Sequence, residues 1–558
     1  MEQIQQTLAR VIHDLFDVDM QPVLTRPDPQ FGDYATNVAL QLAGHLKGNP
    51  RDIASQVAEA LKEQTAEDIK DVDVAGPGFI NITLSDSLLA AQVHEAPTHK
   101  PQTYAGQKVV AEYSDPNPFK VLHAGHFYTS VVGYALSNIM AAAGATVHRV
   151  NFGGDVGLHV GKTMWAMLRD LGGEYPEKLA DIPEHERAAW MTKAYIAGTA
   201  AYEEDETAKA EIITLNKQVY TLFETNDHDS PFAHIYWTCR QWSYDYFNAF
   251  YERIGTPFEK YYPESEVAGL GLRTVREQLA KGVFKESDGA VVFEGESYGL
   301  HTRVFINSHG IPTYEAKDVG LIMRKHEDYH FDRSVIITGN EQEQYMAVVL
   351  KAVEQFAPEL ASATTHFTHG LVKLKGGVKM SSRKGNILRA LDVLNAAHAA
   401  NKQATGREDD EQAVLGAIKY AFLKQRLGPD LIYDPEESVS LEGNSGPYLQ
   451  YAHARARSIL RKAPAAASEL HDFDASERML AVKVTEYPDV LARAATEMMP
   501  HYICTYLYEL AQIFNRFYEN AKVVGDPREA TRLTLVRTYA DILKDGLGLV
   551  GIAAPDKM

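Results

Sequence analysis

Residues 108–152 constrain the fold more than any other stretch. KVVAEY (108–113) is a short apolar run that reads as a buried strand. After the loop SDPNPFKVLHAGH, the segment HFYTSVVGYALSNIMAAAG (126–144) keeps helical spacing and is closed by Gly144. ATVHRVNF (145–152) is the next strand, and GGDVG follows it. Strand, loop, helix and strand at this spacing form a βαβ unit, which predicts an α/β domain on a parallel sheet.

The rest of the chain arranges itself around this unit. Strand patterns return at VVFEG (291–295), SVIITG (334–339) and HGLVKLKG (369–376), while 160–254 is mostly helical, polar and rich in Tyr and Trp. Residues 1–95 read as a small separate module. Its helical patterns at 2–17 and 51–64 flank FGDYATN (31–37), and DVDVAGPGFINITL (71–84) is strand, Gly-Pro turn, strand. THKPQTYAG (98–106) is a linker. After about 387 the pattern is nearly all helical, apart from turns near PDLIYDPEES and the loop PAAAS (464–468). No internal repeat is found. At 558 residues the chain is long enough for three or more domains with their own cores.

Composition removes several classes. No apolar run approaches the ~18 residues a membrane helix needs. The N-terminus lacks a basic start and a small-residue cleavage site, so it reads as mature structure. Two cysteines, Cys239 and Cys504, exclude a disulfide framework and a four-cysteine zinc site and fit a reducing cytoplasm. A net charge of −20 is a poor overall match for a nucleic-acid binder, but HARARSILRK (453–462) offers a local basic strip.

Two elements carry phosphate chemistry. HAGH (123–126) falls where the first strand feeds its helix. Free N–H groups and the positive end of the dipole make a helix start a ready anion site. Gly125 would let a phosphate approach the backbone, and His123 and His126, three apart, would share a face and donate to its oxygens. Alone, this pattern more often describes turn histidines near a helix start. The second element, KMSSRKGN (379–386), mixes Lys, Ser, Arg and Gly and suits a loop that closes on a triphosphate.

In this order the pair resembles the HIGH and KMSKS signatures of class I aminoacyl-tRNA synthetases. Other strings narrow the likeness to the arginyl-tRNA synthetases: EYSDPN (112–117), YEAKD (314–318), TGNEQEQY (338–345), NSGPYLQYAHARARSILRK (444–462), YLYELAQIFNRFYENAKVV (506–524) and the N-terminal FGDYATN and GPGFIN. The resemblance covers nearly the whole chain and is weakest at 160–235. One position departs: the second lysine of KMSKS falls on Ser382. Arginyl-tRNA synthetases often carry instead a lysine three residues before the first histidine, here Lys120. Arg383 or Lys384 could also supply the charge.

The resemblance implies a ligase that activates L-arginine with ATP and transfers it to the terminal adenosine of tRNA(Arg), releasing AMP and pyrophosphate. It implies an N-terminal α+β tRNA-binding domain at 1–97 and a Rossmann-type parallel-sheet catalytic domain at 107–386 with a helical insertion near 160–235. An all-helical anticodon-binding domain would fill 387–558. His123, His126, Lys120 and Lys379 would steady the phosphates. Gly125, Gly339, Glu341, Met380, Ser381, Ser382, Arg383 and Lys384 would complete the ATP site. Mg²⁺ would be bound through the phosphates, with no zinc and no protein-held metal. A guanidinium is a planar, permanently charged fork that carboxylates hold best. Glu112 and Asp318 would grip it with Tyr314, while Asn117 and Gln342 would meet the α-amino group. Asp155 in NFGGDVG also matches a family string, with a structural role left open, and His159 stands where many relatives carry glutamine. Tyr448, Gln450, Tyr451, His453 and Arg455 would read unpaired anticodon bases by stacking and edge hydrogen bonds. Phe79 and Asn81 would touch a D-loop base, though Phe79 also suits a core. A cytoplasmic monomer is expected, with tRNA(Arg), L-arginine and ATP as partners and no membrane.

Three rivals remain on the sequence alone. A class I synthetase of another specificity, cysteinyl-like, is disfavoured by the two-cysteine count. A non-catalytic tRNA-binding paralogue would show decayed signatures, but both histidines, Lys120 and Lys379 are present. A nucleotidyltransferase would be shorter and would lack the two flanking modules.

Overall fold

The computed structural model describes residues 2–65, 67–375, 388–407, 410–463, 470 and 472–558. The N-terminal module is α+β. Strands β1 (Tyr34–Thr36), β2 (Ile69–Ala75) and β3 (Phe79–Leu84) form an antiparallel sheet in the order β1-β3-β2. Helices Glu2–Phe16, Val38–Leu46 and Pro50–Gln64 complete the layer. Their apolar stripes, including Leu8, Val38, Val57 and Leu61, meet Ile80 and Ile82 in a separate core. The Gly-Pro turn between β2 and β3 needs Gly78: its φ is 139°, and a Cβ there would sit 2.9 Å from Pro50 O.

Next comes a five-stranded parallel sheet. In chain order its strands are β4 (Lys108–Glu112), β5 (Thr146–Gly153), β6 (Lys260–Pro263), β10 (Arg333–Gly339) and β11 (Thr364–His369). Their spatial order is β11-β10-β4-β5-β6, with every pairing parallel. The chain steps from β4 to β5 on one side and later returns on the other side as β10. The switch point therefore lies at the carboxyl ends of β4 and β10, where open α/β sheets hold their ligands. Val109, Val110 and Ala111 are fully buried, as a central parallel strand covered on both faces requires. The helix Ala124–Ala142 is apolar nearly all round and buries Phe127, Val131, Val132, Leu136 and Ile139 between the sheet and the C-terminal helices. Each such large side chain contributes about 1.5–3 kcal/mol of burial.

The remaining strands differ from the sequence reading. VVFEG becomes β8 (Ala290–Phe293) of a separate antiparallel sheet with β7 (Lys285–Ser287) and β9 (Arg303–Ile306). HGLVKLKG contributes β12 (Val372–Leu374), which pairs in parallel with β13 (Leu431–Tyr433) rather than joining the main sheet. β13 lies in PDLIYDPEES, expected as turns. β6 and β11 were not anticipated; Lys-Tyr-Tyr-Pro and Thr-Thr-His-Phe-Thr-His carry too few aliphatic residues to announce buried strands. The region 158–254 is helical, with Leu158–Leu171, Arg187–Glu204, Glu206–Thr225 and Pro231–Ile254 around their own apolar cluster. From Ala390 on, β13 aside, the described residues are helices and connecting loops.

The N-terminal module is tied to the C-terminal helices. Arg478 donates to Asp86 at 2.5 Å, to Asp33 at 2.6 Å and to Leu84 O at 3.0 Å. Arg26 donates to Thr485 O at 3.2 Å.

Candidate active site

The loop that follows β4 is fixed from several directions. Ser114, Asp115 and Phe119 adopt positive φ values of 77°, 49° and 70°, a strained stretch of the kind that clusters at functional sites. Phe152 N donates to Asp115 Oδ1 at 2.8 Å and Gly154 N to Asn117 Oδ1 at 2.9 Å. Phe119 N donates to Ser243 Oγ at 2.8 Å. The end of β5 and the insertion helix Pro231–Ile254 thus hold the loop that leads into HAGH.

His123 is the N-cap of the helix Ala124–Ala142. Its Nδ1 accepts from His126 N at 3.3 Å, and His126 Nδ1 accepts in return from His123 N at 3.2 Å. The two rings stack with centroids 3.6 Å apart. A nitrogen that accepts a backbone N–H carries no proton, so each neutral ring bears its hydrogen on Nε2. Burial pushes His123 down to about 4 and His126 well below the usual histidine value, with Lys120 adding to both effects. Both are therefore neutral Nε2–H donors at pH 7. A Cβ on Gly125 would lie 2.9 Å from the His123 ring, so glycine makes room for that ring rather than only for a ligand. Lys120 has no carboxylate partner among the described residues, and burial lowers its pKa.

The acidic side is built from the end of β4 and the helix Tyr314–Tyr329. Tyr314, Asp318 and Lys325 recur at intervals of four and seven and share one face. Lys325, fully buried, donates to the Glu112 carboxylate and to Ser334 Oγ. Lys317 pairs with Glu264 at 2.5 Å, and Arg303 with Glu315 at 3.1 Å. Tyr345 donates its hydroxyl to Asp318. Asp318 forms no ion pair among the described residues. Burial raises its pKa to about 8, and the Glu112 charge adds to this.

One cavity of about 800 Å³ joins these parts. Its lining includes Glu112, Asn117, Lys120, His123, Gly125, His126, Tyr314, Asp318, Gly339, Glu341 and Gln342. The sequence reading named all of these, and they come from three separate stretches, 112–126, 314–318 and 339–342. It missed Asp115, Arg303 and His369, which also line the cavity. Lys379, Met380, Ser381, Ser382, Arg383 and Lys384 lie outside the described residues. The residues that flank them do not: Leu371, Val372 and Leu388 line the same cavity, and Ala124 N donates to Leu388 O at 2.8 Å. Asp155 stands behind the wall, paired with Arg240 at 3.0 Å and accepting from Ser265 N and Oγ.

The RNA-reading candidates divide. Gln450 and His453 face inward on the helix Gly446–Lys462. Gln450 donates to Gln412 O and Ala553 O, and His453 Nδ1 donates to Pro555 O. Those two side chains pack the helical domain together. Tyr448, Tyr451 and Arg455 line a hollow of about 270 Å³ with Asn515 and Glu519. Arg455 lies over the Tyr451 ring at 4.9 Å. At the other end of the chain Phe79 is 41% exposed at the start of β3, so it is not a core aromatic, whereas Asn81 is buried within that strand.

A parallel sheet with a histidine-capped crossover at its switch point, followed by a helical domain, defines a class I aminoacyl-tRNA synthetase. The comparisons with known proteins narrow this. Residues 87–434 match the family described as tRNA synthetases class I (R), catalytic domain. Residues 2–84 match the arginyl tRNA synthetase N terminal domain, and 449–558 the DALR anticodon binding domain. The arginine–tRNA ligase of Treponema denticola is 30% identical over 595 residues, covering 99% of each chain. That of Porphyromonas gingivalis is 29% identical over 599 residues, covering 100% of each. In fold, the chain is similar to the arginyl-tRNA synthetase of Thermus thermophilus (TM-score 0.79, 24% identity, 100% of each chain). It is likewise similar to that of Plasmodium falciparum (TM-score 0.80, 20% identity, 100% of this chain and 99% of that one). The chain belongs to the arginyl-tRNA synthetase family.

Proposed function

We infer that the chain is an arginine–tRNA ligase. It forms arginyl-adenylate from L-arginine and ATP and passes the arginine to the 3′-terminal adenosine of tRNA(Arg). One observation carries this reading: Lys120, a cation without a carboxylate, and Asp318, an acid in no ion pair among the described residues, line the same cavity. An anion at one side and a guanidinium at the other would compensate both.

In the first step a carboxylate oxygen of arginine attacks the α-phosphorus of ATP, and pyrophosphate leaves. The carboxylate is already ionised, so no general base is needed, and the contribution of the chain is positioning and charge stabilisation. The Nε2–H groups of His123 and His126, the helix N-terminus and Lys120 would meet the phosphate oxygens. Lys379 and its neighbours would approach from the segment 379–386, with Gly339 and Glu341 at the ribose. Asn117 has its oxygen turned to Gly154 N, so its amide N–H groups suit the amino acid carboxylate and not the α-amino group that the family likeness led one to expect. The Gln342 oxygen suits the ammonium. Mg²⁺ would arrive with the phosphates and neutralise them. In the second step a ribose hydroxyl of the tRNA attacks the arginyl carbonyl and AMP leaves. The exposed Phe79 and the Tyr448–Tyr451–Arg455 hollow would hold the RNA. We take the domains to run 1–97, 107–386 and 387–558, and the enzyme to act as a cytoplasmic monomer; no described helix is long and apolar enough to cross a membrane.

The test is pyrophosphate exchange with each amino acid, with and without bulk tRNA. Exchange should occur with arginine alone among them. Exchange driven by another amino acid, or by none when tRNA is present, would defeat the assignment.

A further inference from the structure

The helical insertion reaches the phosphate side of the cavity through one helix, Arg187–Glu204. Thr192 and Tyr195, three apart on it, share a face. Val121 N, next to Lys120 in the chain, donates to Thr192 Oγ1 at 2.8 Å, while the Thr192 hydroxyl donates to Ala188 O at 2.8 Å. The half-buried Tyr195 ring lies against the Lys120 ammonium, with Nζ 5.5 Å from the ring centroid, within the range of a cation–π contact. The helix cannot back away from this position. A Cβ on Gly198, one turn beyond Tyr195, would sit 1.9 Å from Lys162 O, so the helix rests backbone to backbone on Leu158–Leu171. Lys120 itself lines the cavity with His123 and His126 and forms no ion pair among the described residues.

The choice of partner matters for a cation that has to meet a triphosphate. A carboxylate would hold the ammonium but cancel its charge, and binding would first have to break a buried ion pair. An aromatic face attracts the ammonium through its quadrupole and carries no net charge. It also occupies none of the three N–H donors with a carboxylate or carbonyl oxygen, so all three keep their capacity for phosphate oxygens. A lysine stem loses rotamer freedom when its head is placed, and a ring that places the head in the free enzyme removes part of that loss from the binding step. We propose that Tyr195 is a positioning residue, whose ring face holds the Lys120 ammonium at the phosphate side of the cavity without neutralising it. The insertion, where the family likeness is weakest, thereby takes part in the chemistry.

The proposal rests on the reading of Lys120 as a phosphate cation, and the experiment separates the two. Pyrophosphate exchange with L-arginine in the presence of bulk tRNA is followed on the full chain, giving kcat and the KM values for ATP and arginine, with the melting temperature alongside. Tyr195→Leu fills a similar space without a quadrupole. It should lower kcat/KM for ATP about tenfold and leave KM for arginine within about twofold. Tyr195→Phe keeps the ring face and should restore kcat/KM for ATP to within about twofold of the unaltered protein. Tyr195→Met, a more adaptable filler, carries the same expectation as leucine should leucine lower the melting temperature. Lys120→Met should slow exchange more strongly, and Tyr195→Leu added to it should change the rate by less than about twofold, as a residue acting only through Lys120 requires. An unchanged kcat/KM for ATP in Tyr195→Leu would overturn the proposal. Equal losses in the Phe and Leu variants would make the hydroxyl the active part and overturn it too. Equal Tyr195→Leu losses with and without Lys120, or for ATP and arginine alike, would reduce the ring to packing the insertion. A normal rate in Lys120→Met would instead sink the phosphate role of Lys120, and the proposal with it.

Discussion

The Tyr314 hydroxyl lies 3.1 Å from Nδ1 of His159, whose Nε2 lies 2.7 Å from Gly154 O. A carbonyl can only accept, so Nε2 carries the ring proton and Nδ1 accepts from Tyr314. The tyrosine oxygen is left with its lone pairs toward the cavity, the polarity a guanidinium needs. Tyr314→Phe should raise KM for arginine about tenfold, the scale of one hydrogen bond to a charged group, and leave KM for ATP unchanged. His159→Phe frees the hydroxyl to rotate and should give a smaller effect in the same direction. Equal rises in both KM values would mean that the pocket had merely loosened.

Asp318 has a pKa near 8 in the empty cavity, raised chiefly by burial. At pH 7 it holds a proton, whereas a bound guanidinium favours its ionised form. Arginine binding should therefore release a proton, and affinity should rise with pH up to about 8, by at most about tenfold per unit. Calorimetry in two buffers of different ionisation heat measures the release. Asp318→Asn should abolish it and weaken arginine by about 2–5 kcal/mol.

Gly125→Ala places a methyl 2.9 Å from the His123 ring. The ring is a side chain and can swing, so the fold should survive with little change in melting temperature. Swinging breaks the reciprocal cap with His126 and moves both Nε2 donors. A displacement of about 1 Å at such a site lowers kcat by about a hundredfold. Single-turnover adenylate formation is the direct readout. A normal rate would show that the histidine pair need not be held in register.

Arg478→Ala removes the fork shared by Asp33, Asp86 and Leu84 O. Asp33 is buried and would lose its cation, at a cost of about 3–5 kcal/mol. Limited proteolysis near residues 96–106 should accelerate, and KM for tRNA should rise while arginine binding persists. Unaltered tRNA kinetics would show that the module acts independently of this contact.

Much of this arrangement was legible in the sequence, for identifiable reasons. The βαβ unit announced itself because β4 and β5 sit at the centre of a sheet covered on both faces, where apolar residues must follow one another. HAGH marked the helix start because its chemistry is local: residues three apart reach each other through a single turn. The short strands β6, β11 and β13 were hidden, since edge and paired positions tolerate Tyr, His and Thr. Lys325 was invisible for another reason. Its meaning depends on Glu112, which is 213 residues away, and only the seven-residue spacing from Asp318 hinted at a shared face. Gln450 and His453 illustrate the converse. Their polarity and helical spacing suited RNA, but both point inward, where backbone carbonyls near the C-terminus claim them.

The Arg478 tie has a geometric consequence. If one RNA touches both Phe79 and Tyr451, the span between those contacts is set by a half-buried ionic clasp and not by the RNA. The two surfaces would then work as a caliper of fixed opening. A misfolded or truncated RNA would be refused on its dimensions before any base was inspected.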